Sequence, residues 1–468
     1  MNSTLALEPS MIRVTAKRNR AVYVAYILVL WIFAQDLITM LLGKWLTPST
    51  FQTMGNAVLI GKEVFTLLSV LGLGLFCALP ARHWNLADRL AIGMALLVGF
   101  YVVIPNSWLG GYDVVFAAKL IGARSILVPA ELYFLGRWLP LSSEDLISLL
   151  RFILKVGLVS VLAGIALTTM LSGEEWQDLG LTHLYSLKAG FVMDNSGIFS
   201  TAGLPQGWYF QELPQSIVPW PGLRRFSSLI VEPISTGIVT AFLFVLSVAM
   251  ARRRRLDLRT LLLGLGSIFA LSRGGWMVAG LGYLFMRTKR PFFVTGMGIA
   301  TIVIGLYAYG LAGTNFEITL STSERSDAMA DGIGQAFRYP QGRGLGTIGY
   351  FSGVITGENP LVQKESMNPF SVESFFGTLS AQLGLLGIVL WISFLVALIR
   401  SLSRIANKLL RVNEQLGQIA LAICGSVIAI FVIGFVTSSG YGFVGLALPF
   451  MLAGLMVGVS GRVGPSYA

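Results

Sequence analysis

The chain has 468 residues, of which 54% are hydrophobic and 12% charged, and its mean hydropathy is +0.73. That is membrane-protein composition, and it excludes an ordinary soluble domain, which would need many helices buried on every side. The net charge of +11 reflects Lys and Arg gathered at the ends of apolar runs, which reads as cytoplasmic loop charge rather than a nucleic-acid surface.

In chain order, residues 1–19 form a polar, cytoplasmic tail. The apolar run 20–42 follows Lys17, Arg18 and Arg20 and is long, so it reads as a retained first span rather than a cleaved leader. Runs at 56–80, 90–109, 113–136 and 147–171 complete an N-terminal bundle over 20–171, with about five helices. Residues 172–227 are polar and hold Glu174, Glu175, Asp178 and Trp208 with several prolines. They form the first large outward loop. The next apolar run is 228–250. Run 260–286 is different, because Arg252–Arg255 precede it and Arg287, Lys289 and Arg290 follow it. A single crossing would put one basic end outside, so the run reads as two short helices with a turn at Ser272-Arg-Gly-Gly275 and Arg273 at the tip. Run 291–313 closes the segment 228–313 and leads into a long polar stretch, 314–375. Loops of that length between buried segments are uncommon and are often functional. Runs at 376–400, 416–437 and 441–460 fill the C-terminal part, 376–468. The expected fold is an all-α integral membrane protein of about twelve transmembrane helices, with both termini cytoplasmic and two large periplasmic loops.

Cys77 and Cys424 lie inside apolar runs, so no disulfide framework is indicated, and with His83 and His183 as the only histidines a His-based metal site is not suggested. A P-loop, a serine nucleophile elbow and an outward Asp-x-Asp pair are missing too. What recurs at the outward junctions is arginine. Arg224 and Arg225 stand before run 228–250, Arg273 stands at the hairpin tip, and Arg325, Arg338 and Arg343 lie in the long loop. A guanidinium fork suits phosphate oxygens, and a charge near hydrocarbon costs enough to need a reason. The plainer reading of Arg273 is a pair with Glu232 or a side chain reaching for water; for the loop arginines it is ordinary solvated charge. Glu232 and Glu373 sit where polar segments meet spans. Each is a candidate base or a partner for arginine. Asp36, Lys62, Glu63, Lys119, Arg124 and Glu131 fall within apolar runs, where they could line a transport path or pair with one another.

Three stretches in order carry a resemblance. They are Arg225-Phe-Ser-Ser-Leu-Ile-Val-Glu-Pro233, then Leu271-Ser-Arg-Gly-Gly-Trp276, then Pro340 to Gly346 followed by Val372-Glu-Ser-Phe-Phe376 and Gly384-Leu-Leu-Gly387. Together, over roughly 220–390, they resemble the O-antigen ligase and polysaccharide polymerase superfamily of bacterial inner-membrane proteins. The resemblance implies a helical bundle of about a dozen spans and metal-independent, cofactor-free glycosyl transfer from a polyprenyl-diphosphate-linked glycan. It assigns Arg225 and Arg273 to the diphosphate, with help from Arg325 or another of Arg224, Arg338 and Arg343. It also implies a chain-length regulator as a partner. Ligases of the family carry a His-Asn pair where this chain has Glu373-Ser374. The expectation is therefore a polymerase with Glu373 as base; a ligase using lipid A-core and a transporter of lipid-linked sugars are the alternatives.

Overall fold

The structure, a computed structural model, describes residues 9–77, 84–111, 113–189, 204–205, 208–210, 222–251, 257–312, 334–347, 374–435 and 442–462. Helices dominate: α1 (Pro9–Trp45), α2 (Pro48–Cys77), α3 (Leu86–Val103), α4 (Phe116–Trp138), α5 (Ser143–Met170), then two short helices α6 (Gly173–Asp178) and α7 (Leu181–Ala189). Next come strands β1 (Tyr209–Phe210) and β2 (Leu223–Arg224), paired antiparallel. The second half holds α8 (Pro233–Met250), α9 (Leu258–Phe269), α10 (Arg273–Thr288), α11 (Pro291–Ala312), α12 (Phe375–Val412), α13 (Glu414–Ile433) and α14 (Phe443–Arg462).

Local chemistry sets the helix ends. Asn85 and Asp88 form a reciprocal capping box that starts α3 several residues ahead of its apolar run, and the helix stops where Ile104, extended ahead of Pro105, cannot stay helical. Ser142 with Asp145 starts α5 in the same way, and α8 begins with Pro233 at its first turn. Hydropathy cannot see α12 beyond Arg400, yet the helix runs on through Arg404, Lys408 and Arg411 to Val412.

Eight described helices are long and apolar enough to cross a membrane, which marks a multi-pass membrane protein, all-α among the described residues apart from the β pair. α4 carries Lys119, Arg124 and Glu131 and is less apolar than those eight. α9 and α10 have 12 and 16 residues. They rise about 18 and 24 Å, short of the ~30 Å hydrocarbon layer.

Burial separates centre from rim. In α13, 94% of the apolar window is buried, and in α14 89%, against 17% in α2. α13 is the axis, packed by α8, α10, α11, α12 and α14, and α4 runs beside α14. Glycine makes the α4–α14 contact possible. A Cβ at Gly136 would collide with Met451 O, and one at Gly458 would come within 2.8 Å of Arg137 O. Such small-residue seams let backbones approach where lipid gives no hydrophobic drive for helix pairing.

Segment 172–227, expected only as a loop, contributes α6, α7 and β1 to a second apolar cluster. Met40, Trp176, Leu184, Leu204, Trp208 and Val231 pack there, with the Trp176 and Trp208 rings 5.1 Å apart. The cluster sits over the C-terminal end of α1 and beside the start of α8.

Candidate functional site

The bundle has one end where α8, α10 and α12 begin and α9 and α13 finish. Residues 222–231 cross it. Arg225 N–H donates to Trp208 O at 2.8 Å, and Phe226 N–H donates to Phe269 O, the last residue of α9, at 2.9 Å. On the other side Leu229 N–H donates to Ser160 Oγ of α5 at 3.2 Å. The strip that carries Arg224 and Arg225 is thus tied to the α9–α10 turn that carries Arg273.

The turn itself is compact. α9 ends at Phe269, and Leu271 takes a positive φ of 47°. Ser272 caps α10 by accepting from Gly275 N–H at 3.2 Å, and its hydroxyl donates to Ile234 O at 3.4 Å. Gly237 of α8 faces Ser272 with no room for a Cβ, so the turn lies level with the first turn of α8. A Cβ on Gly274 would lie 3.7 Å from Ile433 Cδ1, at the end of α13. There Phe376 N–H donates to Gly434 O at 3.2 Å and Ser374 Oγ donates to Phe435 O at 2.9 Å. The start of α12 is therefore docked on the end of α13, one contact away from the turn of Arg273.

Arg273 is exposed at the first position of α10. A cation there opposes the helix dipole, so helix stability does not explain it. An anion placed there would meet both the guanidinium and the dipole. Arg224 is half-buried, and its Nη1 donates to Leu171 O at 3.0 Å. Its Nε and Nη2 are sealed from solvent and have no acceptor among the described residues. Desolvation lowers its pKa from the ordinary arginine value, with Tyr209 opposing, and a guanidinium so placed is still a cation. Arg225 is half-buried beside it. Glu232 stands at the N-cap of α8, and its carboxylate accepts from Ser235 Oγ at 2.7 Å. Expected site residues Arg224, Arg225, Arg273 and Glu232 are thus brought to one end of the bundle, and Ser374 joins them. Arg325 and Glu373 lie outside the described residues.

Arg338 and Arg343 belong to a different set of contacts. Arg338 is exposed at the end of a helical turn, 334–338. Arg343 is half-buried in the glycine-rich loop after it, its guanidinium 4.2 Å from the Tyr339 ring centre. That loop docks on α3, α4 and α12. Asn106 Nδ2 donates to Leu345 O at 3.0 Å, Gln341 Nε2 donates to Leu109 O at 3.2 Å, and Tyr101 OH donates to Gln341 O. The sequence marked the loop as turn-rich but gave no sign of Asn106, Tyr101 or Gln382 as its receptors, since all three sit in or beside apolar runs.

Several charges inside or at the ends of the apolar runs fall into local groups, while Glu131 keeps a buried carboxylate oxygen with no hydrogen-bond partner among the described residues. Glu63 faces Lys62 at 3.6 Å and also takes Arg124. Lys119 Nζ donates to Ile104 O. Asp88 and Arg137, both buried, pair at 3.2 Å; Tyr133 OH donates to the same carboxylate at 2.6 Å and Arg137 Nη1 donates to Val457 O at 3.2 Å. That group welds α3, α4 and α14 together.

The arginine-bearing end offers what an oxyanion needs: a capped helix N-terminus, three guanidinium groups, of which Arg224 keeps two buried donors without an acceptor among the described residues, and a partly desolvated floor. Compared with known proteins, the chain matches no family model and no curated sequence.

Proposed function

We propose that this protein is a polysaccharide polymerase, of O-antigen or exopolysaccharide type, in a bacterial inner membrane. It transfers a glycan from polyprenyl diphosphate to an incoming lipid-linked repeat unit at the periplasmic face. On this reading about twelve helical segments cross or enter the bilayer, with both termini cytoplasmic. The observation that carries it is the tie between the strip of Arg224 and Arg225 and the α9–α10 turn of Arg273, made by Phe226 N–H to Phe269 O. Cleaving a glycosyl–diphosphate bond develops charge on the leaving oxygen, and preplaced guanidinium groups near hydrocarbon stabilise it more than water does. The acceptor hydroxyl must lose a proton, the role given to Glu373. Further support is the apolar, membrane-spanning make-up of the bundle, which suits a donor carried on a lipid.

The test is purified protein with one synthetic polyprenyl-diphosphate repeat unit and a chelator, read by gel laddering. A ladder is expected, and Arg225→Ala or Arg273→Ala should lower its rate about 10²-fold or more. Transfer only after lipid A-core is added would make the protein a ligase. Movement of the lipid between leaflets without extension would make it a transporter and overturn the proposal.

A further inference from the structure

α12 is two helices in series. Gly384, with φ 63° and ψ −157°, breaks it into a half-helix, 375–383, and a long helix after it. A break within an apolar span strands the last carbonyls of one piece and the first N–H groups of the next, and in hydrocarbon these must find partners in the protein. The loop 340–346 supplies them. Arg343 N–H donates to Ala381 O at 2.8 Å and Gly344 N–H to Gln382 O at 3.0 Å, closing the half-helix. Leu385 N–H donates to Pro340 O at 2.9 Å, opening the helix that follows. The Gln382 side chain adds one more bond, its Oε1 accepting from Gly346 N–H at 3.3 Å, and that residue is buried, 1% exposed.

The fit is mutual. Gly342, Gly344 and Gly346 have φ of 75°, 97° and 75°, which L side chains rarely adopt. A Cβ on Gly342 would collide with Gln382 O, one on Gly384 with Pro340 O, and one on Gly346 would stand 2.7 Å from Ala118 O. Arg343 is therefore held through its own backbone in the α12 break. Its guanidinium lies over Tyr339, and its Nε is buried with no acceptor among the described residues. Stacking fixes the plane of a guanidinium and leaves the donors along its edge unspent.

We propose that Gln382 is a positioning residue: by pinning the loop 340–346 into the break of α12, it aims Arg343 at the anionic part of the substrate. This rests on the polymerase reading, so two readouts are needed, one of them independent of activity. In full-length protein lacking Cys77 and Cys424, Arg343→Cys is reacted with a water-soluble maleimide, with Gln382 present or replaced by Leu. Labelling about tenfold faster in the Gln382→Leu background is expected, and equal rates would overturn the pinning. Gln382→Met takes the place of Leu if that variant does not accumulate.

The second readout is a double-mutant cycle of Gln382→Leu and Arg343→Ala on donor kinetics. A residue that acts through Arg343 gives non-additive losses, with KM for the donor raised about tenfold and kcat moved less. Gln382→Glu, which keeps an acceptor oxygen, should recover most of the loss. Full additivity would reduce Gln382 to a structural role. If the parent protein extends no donor, the polymerase reading falls and with it the substrate half of the proposal, while the labelling result still decides the contact between Gln382 and the loop.

Discussion

At the scale of single residues, two arginines show how the same side chain can serve opposite ends. Arg137 is 3% exposed and spends its donors on Asp88 and Val457 O. Asp88 in turn caps α3, accepting from Asn85 N–H at 2.8 Å, and takes the Tyr133 hydroxyl. Removing one member of such a group leaves a buried charge uncompensated. Arg137→Met should therefore destabilise the protein by about 3–5 kcal/mol, read as thermal unfolding in detergent, and Asp88→Leu added to it should restore part of the loss. Arg273 stands in a different setting. It is exposed at the first position of α10, where its charge opposes the dipole. Arg273→Ala should lower the laddering rate about 10²-fold or more while folded protein still accumulates. A loss of both together would mean that Arg273 holds the turn instead of the substrate. Arg273→Lys, which keeps the charge but loses the fork, should recover little activity.

At the scale of elements, the glycine seam between α4 and α14 makes a sharper prediction than apolar character does. Met451 O occupies the space a Cβ would need at Gly136, so Gly136→Val must push the helices apart. The expected outcome is a large drop in folded yield, whereas Gly280→Ala, on the open face of α10 with nothing near, should be neutral. This seam also shows what a sequence can and cannot reveal. Apolar runs marked the helices, because burial in lipid demands them. Their ends were less legible, since caps such as Asn85–Asp88 and the basic extension of α12 obey local hydrogen bonding rather than hydropathy. The turn at Ser272 could be suspected from charge at both ends of its run, but which glycines face which helices could not, because that depends on contacts between distant parts of the chain. For the same reason the arginines were visible as chemistry, while the break at Gly384 and its receptor Gln382 were not.

At the scale of the whole molecule, charge and site lie at opposite ends. Arg89, Arg287, Lys289, Arg290, Arg404 and Lys408 gather at the end where α3, α5 and α9 begin and α10 finishes, and where the late part of α12 ends. The other end holds Arg224, Arg225 and Arg273 beneath the Trp176–Trp208 cluster, with Glu174 and Glu175 exposed on α6. Basic residues in short loops favour the cytoplasmic side, so the site end should face outward. A membrane-impermeant thiol reagent on intact cells decides it. In protein lacking Cys77 and Cys424, Glu174→Cys should label and Lys408→Cys should not, until the membrane is opened. Both positions are exposed, so a failure to label would reflect sidedness rather than burial. The opposite pattern would put the arginine cluster on the cytoplasmic side, where a polymerase that extends chains at the outer face could not work, and the function would have to be sought among enzymes or carriers that meet lipid-linked sugars before they cross.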